Sequence, residues 1–166
     1  MYDLFPNTLK SVLPSPNRPI YTITVGHSST KRILIADDHE SVLRGVRTML
    51  ETHAGWSVCG EAVNGYEAIT KAVELRPDLI VLDFAMPQLD GLQAADEISK
   101  LLPGVQIVLH TMYGADVVLE ANKRGISRVI EKATSGALVS AVEELLNPNV
   151  KPTAGPDLAA RSGGNY

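Results

Sequence analysis

Ile33-Leu34-Ile35-Ala36-Asp37-Asp38 decides the fold: four apolar residues run without a break, and two acids follow them. A strand with one wet face alternates apolar and polar residues, so an unbroken run is what a strand covered on both faces presents. The same pattern occurs at Leu79-Ile80-Val81-Leu82, which closes on Asp83, and Val105-Gln106-Ile107-Val108-Leu109 reads as a fourth strand. Trp56-Ser57-Val58-Cys59-Gly60-Glu61-Ala62 and Ser127-Arg128-Val129-Ile130 read as two further strands.

Helical periodicity fills the gaps. Residues 39–53 carry Val42, Leu43, Val46, Met49 and Leu50 at helical spacing. Asn64 is placed to cap a helix reaching about Leu75, with Ala68, Ile69, Ala72 and Val73 on its inner face and Pro77 as its stop. Leu92, Ala95, Ile98 and Leu101-Leu102 mark a third helix, closed by Pro103-Gly104. Residues 114–124 give a fourth through Val117, Val118 and Ala121, with Gly125 as its C′ residue, and residues 134–147 a fifth. Strands joined by helices run parallel, with helices on both faces. The expected fold is therefore α/β, a flavodoxin-like doubly wound sheet of five parallel strands in the order 2-1-3-4-5 with five helices.

The organisation around this unit follows from composition. The chain has 166 residues, 45% of them hydrophobic and 20% charged, enough for one domain with a real core. Residues 1–30 are punctuated by Pro6, Pro14, Pro16 and Pro19 and read as a flexible extension, although Ile20-Tyr21-Thr22-Ile23-Thr24-Val25 could add an edge strand. Residues 31–147 hold the periodic unit. Residues 148–166, with Pro148, Pro152, Pro156 and Gly163-Gly164, read as a disordered tail. A net charge of −4 argues against direct contact with DNA. No stretch approaches the roughly 18 to 20 apolar residues of a membrane span, and Met1-Tyr2-Asp3-Leu4 is not a signal peptide, so a cytoplasmic protein is expected. Cys59 stands alone, which excludes an internal disulfide, and is expected to be a small buried residue.

In a sheet of this order, chemistry collects at the carboxyl ends of the strands near the point where the order reverses, between strands one and three. Asp37 and Asp38 follow strand one, and Asp83 follows strand three. Neighbouring strands lie about 4.8 Å apart, so the three carboxylates are expected to converge. Unrelieved, they would repel one another, and a hard divalent cation such as Mg²⁺ relieves them. Each acid alone could equally cap a helix or turn. Strand four leads to His110-Thr111 and strand five to Glu131-Lys132, bringing a hydroxyl and an ammonium to the same edge. Metal, ammonium and hydroxyl together suit a phosphoryl group. The loop after strand one has no glycine-rich turn, which argues against a nucleotide site. His39 and His110 are expected to be structural.

These motifs resemble those of the receiver domains of two-component response regulators, over about residues 31–147. The resemblance rests on Ile35-Ala36-Asp37-Asp38-His39, Leu82-Asp83-Phe84-Ala85-Met86-Pro87, Asp90-Gly91, Thr111 and Lys132, all in order. The Asp-Asp-His form and the Leu-His-Thr-Met-Tyr segment look most like receivers that elsewhere carry a helix-turn-helix output domain. The resemblance implies that Asp83 accepts a phosphoryl group from a sensor histidine kinase or histidine phosphotransfer protein. It further implies that Asp37, Asp38, Asp83 and the backbone carbonyl of Ala85 hold Mg²⁺, and that Lys132 and Thr111 contact the phosphoryl oxygens. The chain would be no enzyme beyond its own phosphotransfer and autodephosphorylation.

One departure stands out. Receivers usually carry Tyr or Phe three residues before the lysine, where this chain has Val129. Tyr113 could screen the phosphorylated site instead. After Lys132 only a helix and a tail remain, so a stand-alone receiver or part of a longer regulator is expected. Output would then pass through a downstream protein or a homodimer. Two other readings compete: a pseudo-receiver acting as a phosphorylation-independent interaction module, and a haloacid-dehalogenase-type phosphatase. The latter places Asp-x-Asp after strand one, where this chain has adjacent acids.

Overall fold

A computed structural model describes residues 30–121, 124–134 and 136–147. Five strands, β1 (Lys31–Ala36), β2 (Trp56–Ala62), β3 (Leu79–Leu82), β4 (Gln106–Thr111) and β5 (Arg128–Glu131), alternate with five helices. The helices are α1 (Glu40–Glu51), α2 (Gly65–Leu75), α3 (Gly91–Leu101), α4 (Gly114–Ala121) and α5 (Ala137–Leu146). The strands form one sheet in the order β2-β1-β3-β4-β5, every pair parallel, as the sequence predicts. The predicted extension over residues 1–30, Thr30 apart, and the predicted tail over 148–166 lie outside the described residues.

The unbroken apolar strands work as expected, because successive side chains serve opposite faces. Ile33, Ile35, Leu79, Val81 and Val108 pack with Leu43, Val46 and Leu50 of α1 and Leu138, Val142 and Leu146 of α5. Leu34, Ile80, Leu82, Ile107 and Leu109 pack on the other face with Ala68 and Ala72 of α2, Ala94, Ala95 and Ile98 of α3, and Val117 and Ala121 of α4. Small alanines in α2 and α3 let these helices lie close to the sheet. The register places Ala36 beside Leu82 and Leu82 beside Leu109, so β1 and β3 end at one level, while β4 continues two residues beyond the expected Leu109 to Thr111.

Several details depart from the sequence-based expectation. Val73, expected on the inner face of α2, is exposed, as are Met49, Leu101 and Val118, which helical spacing also picked out. Each sits beside the buried stripe of its helix, where an apolar residue borders water without a core partner. Helix α1 is shorter than 39–53, and His39 stands at its N-cap without a side-chain cap bond. Helix α5 begins at Ala137 rather than residue 134, behind Gly136 at φ +80°. Strand β5 starts one residue late, at Arg128, and Ser127 before it exchanges bonds with Ile107, its amide donating to the Ile107 carbonyl and its hydroxyl accepting from the Ile107 amide. Cys59 is half-buried rather than buried. It lies where the β1–β2 register skips a residue, with Ile33 opposite Val58 and Leu34 opposite Gly60. At α2 the expected cap is present, Asn64 accepting from the Glu67 amide at 2.9 Å. The helix ends at Arg76 in the left-handed region, followed by Pro77.

Candidate functional site

The residues that follow the strands are pinned by the sheet itself. Asp37 N–H donates to Ala62 O at 3.0 Å, Asp83 N–H to Ala36 O at 2.8 Å, and Lys132 N–H to Thr111 O at 2.9 Å. Each donor lies just past its own strand, and each acceptor is the last residue of a neighbouring strand. The side chains of Asp37, Asp83 and Lys132 therefore start from fixed points on one rim.

Those side chains meet. Lys132 Nζ lies 2.5 Å from Asp37 Oδ2 and 3.1 Å from Asp83 Oδ1. Both acids are buried, and the lysine side chain is only 13% exposed. Burial pushes the Asp83 carboxyl above its ordinary value, against the pull of the Lys132 ammonium. Burial also works against the charge on Lys132, but its bonds to Asp37 and Asp83 outweigh it and raise that group. Asp38 sits outside this pair, its side chain 30% exposed. His39 Nδ1 is 2.7 Å from Asp38 Oδ1 and 3.4 Å from Asp37 Oδ1, and the His39 amide donates to Asp37 Oδ1. Among the described residues, Asp37, Asp38 and His39 form the group whose ligand atoms lie close enough to share an ion. Asp83 is not in that group; it is linked to Asp37 through the Lys132 ammonium that both acids hold. Ala85 is exposed in the loop two residues after Asp83.

Thr111 is fully buried at the end of β4, its Oγ1 accepting from the Tyr113 amide at 3.1 Å. His110 is half-buried on the α1 side, and burial, aided by Lys132, pushes its pKa down to about 4. It is therefore neutral near pH 7.

Three features of the site were not foreseen in the sequence: the packing of Gly91, the backbone of Gln88 and the pairing of Phe84 with Tyr113. Gly91 packs directly on the backbone of Asp83: an added Cβ would fall 2.1 Å from Asp83 O. The Gly91 amide donates to Phe84 O, and Asp90 and Gln93 close a capping box behind it. Asp90-Gly91 thus ties the loop back to the end of β3, which the Asp-Gly pair signals in sequence only as a turn. Gln88 adopts φ +70°, a left-handed conformation that its residue type does not announce. Phe84 and Tyr113, from two different loops, meet edge to face with centroids 5.8 Å apart and planes at 74°. A wider recess of about 360 Å³ lies between Arg76–Asp78 and Leu101–Val105, and it contains none of the residues of this constellation.

A sequence profile of the response regulator receiver domain matches residues 33–143. The chain belongs to the response regulator receiver family. This receiver domain is 37% identical over 118 residues to the response regulator protein VraR of Staphylococcus saprophyticus, covering 70% of this chain and 56% of that protein. It thus spans about half the length of the curated relatives it matches. Among solved structures, a LuxR-family two-component response regulator from Aurantimonas sp. aligns with TM-score 0.69 and 33% identity, over 72% of this chain and 87% of that one. RcsB of Salmonella enterica serovar Typhimurium, solved bound to promoter rprA with phosphomimetic BeF3⁻, aligns with TM-score 0.62 and 27% identity, over 69% and 66% of the two chains. Membership in the family places this receiver in two-component signalling. No helix among the described residues is long and apolar enough to cross a membrane.

Proposed function

We propose that this receiver is a phosphorylation switch, with Asp83 accepting a phosphoryl group from the phosphohistidine of a sensor kinase or a histidine phosphotransfer protein. The observation that carries the reading is the Lys132 ammonium, held at once by Asp37 and Asp83 on one buried rim. An Asp83 carboxylate oxygen attacks phosphorus, the P–N bond to the donor imidazole breaks, and the imidazole leaves with the bonding pair. Such a transfer asks the protein for positioning and charge neutralisation more than for covalent help. Lys132 supports it twice, favouring the ionised form of Asp83 against the burial that raises its carboxyl and then pairing with a phosphoryl oxygen. Thr111, one strand away, would donate its hydroxyl to another.

The donor set fits Mg²⁺: carboxylate oxygens of Asp37, Asp38 and Asp83, with the Ala85 carbonyl, are hard ligands suited to it. When bound, the cation neutralises charge on the transferring group. The chemistry of the chain ends with its own acyl phosphate and the autodephosphorylation of that bond. Output passes by protein contact, to a downstream target or a second copy, in the cytoplasm. Promoter binding belongs to RcsB, and the net charge of −4 argues against direct DNA contact by this chain. Val129 favours a second reading, a pseudo-receiver that signals by binding alone, because an aliphatic side chain cannot serve as the usual aromatic switch.

Incubation with Mg²⁺ and acetyl phosphate decides between them. Intact-mass measurement should record one phosphoryl adduct on the parent chain and none on Asp83→Asn. An unmodified parent chain, or an adduct that persists in the variant, refutes the proposal.

A further inference from the structure

The Thr111 hydroxyl is not free to move alone. Its Oγ1 accepts the amide of Tyr113, and the Tyr113 ring rests edge-on against Phe84, the residue immediately after Asp83. Phe84 is anchored in turn, half-buried against the core on the α2–α3 side of the sheet. A chain of contacts therefore runs from Asp83 through Phe84 and Tyr113 to Thr111, bridging the two loops that flank the proposed phosphoacceptor. Val129 packs against that same core and offers no ring to turn. Tyr113 is 55% exposed and Met112 67% exposed, so movement of this segment alters the outer surface.

We infer that Tyr113 is the aromatic partner of Thr111 in this receiver, a positioning residue that couples occupancy of Asp83 to the exposed surface at Met112 and Tyr113. The inference rests on the reading of Asp83 as phosphoacceptor. Rotation of Thr111 about its Cα–Cβ bond carries Oγ1 away from the Tyr113 amide. The loop then follows or loses that bond, and either response displaces the ring from Phe84. The readout moves from strand β5 to the β4–α4 segment.

The experiment uses the full chain carrying 3-fluorotyrosine at its five tyrosines, with Tyr113→Phe identifying the Tyr113 signal. Fluorine NMR is recorded with Mg²⁺ before and after saturation with beryllofluoride, a phosphoryl mimic whose bound form has its own fluorine signal. The Tyr113 resonance should shift on saturation in the parent chain and in Thr111→Ser, which keeps a hydroxyl, and should stay in place in Thr111→Val. A stationary resonance in a parent chain whose Asp83 is demonstrably occupied overturns the inference alone. So does an equal shift in Thr111→Val, which would mean that the ring senses the anion without the hydroxyl. A chain that takes up neither beryllofluoride nor phosphoryl overturns the reading of Asp83 and this inference with it.

Discussion

Replacing Lys132 by Met removes the ammonium while keeping most of the aliphatic stem that packs beneath it. The cost follows from the surroundings: Asp37 and Asp83 side chains are 5% and 6% exposed, and Lys132 lies 2.5 and 3.1 Å from them. Removing one member of a buried charge group leaves the rest uncompensated, which costs about 3–5 kcal/mol. The lower end applies, because a buried carboxylate can escape by taking up a proton. A loss of about 3 kcal/mol corresponds to a fall of roughly 10 °C in Tm for a domain of this size. The sign of the pH dependence is fixed. Burial already raises the Asp83 carboxyl in the folded state, and without Lys132 it rises further, so the penalty is present above that folded pKa and disappears as pH falls through it. Urea denaturation of both proteins in metal-free buffer, from pH 7 down to pH 4, measures this directly. A variant within about 1 kcal/mol of the parent at pH 7, or a deficit unchanged at pH 4, would show that the ammonium does not hold the two acids as described.

Other positions give equally definite expectations. Gly91→Ala drives a methyl into the Asp83 carbonyl, two backbone groups with little freedom to part, and should cost about 3 kcal/mol by urea denaturation. Gln88→Gly should stabilise by about 0.5 kcal/mol, the relief of a left-handed conformation being partly offset by glycine's greater freedom when unfolded. The His110 imidazole should remain neutral in NMR titrations from pH 7 to pH 5, with its midpoint near 4. Because its folded pKa lies below the unfolded value of 6.5, His110 leaves stability untouched above that pH and erodes it as pH falls through the interval. His110→Leu should flatten that part of the stability profile.

How much was legible beforehand depends on what fixed each feature. Apolar runs such as Ile33–Ala36 and Leu79–Leu82 can be read from composition, because burial on both faces leaves no alternative pattern. The identity of the rim residues was legible too, since strand ends in a parallel sheet share one edge. What escaped depends on approaches between distant segments. Gly91 reads as half of a turn, and only the fold reveals that Asp83 O occupies the place of its Cβ. Gln88 carries no mark of its backbone angle. His39 was expected only to be structural, and the structure adds that its ring lies against Asp38. Met49 and Val73 fit the helical period, but each lies beside the buried stripe of its helix and meets water.

Three backbone amides, those of Asp37, Asp83 and Lys132, reach across to the terminal carbonyls of adjacent strands. The reactive groups consequently inherit the rigidity of the ladder, and little mechanical slack remains for a docking protein to take up. Under the proposed function, a donor would need only to bring a phosphoryl group on a suitable leaving group to the rim, so small phosphodonors should serve nearly as well in geometry, if not in encounter frequency, as a protein one.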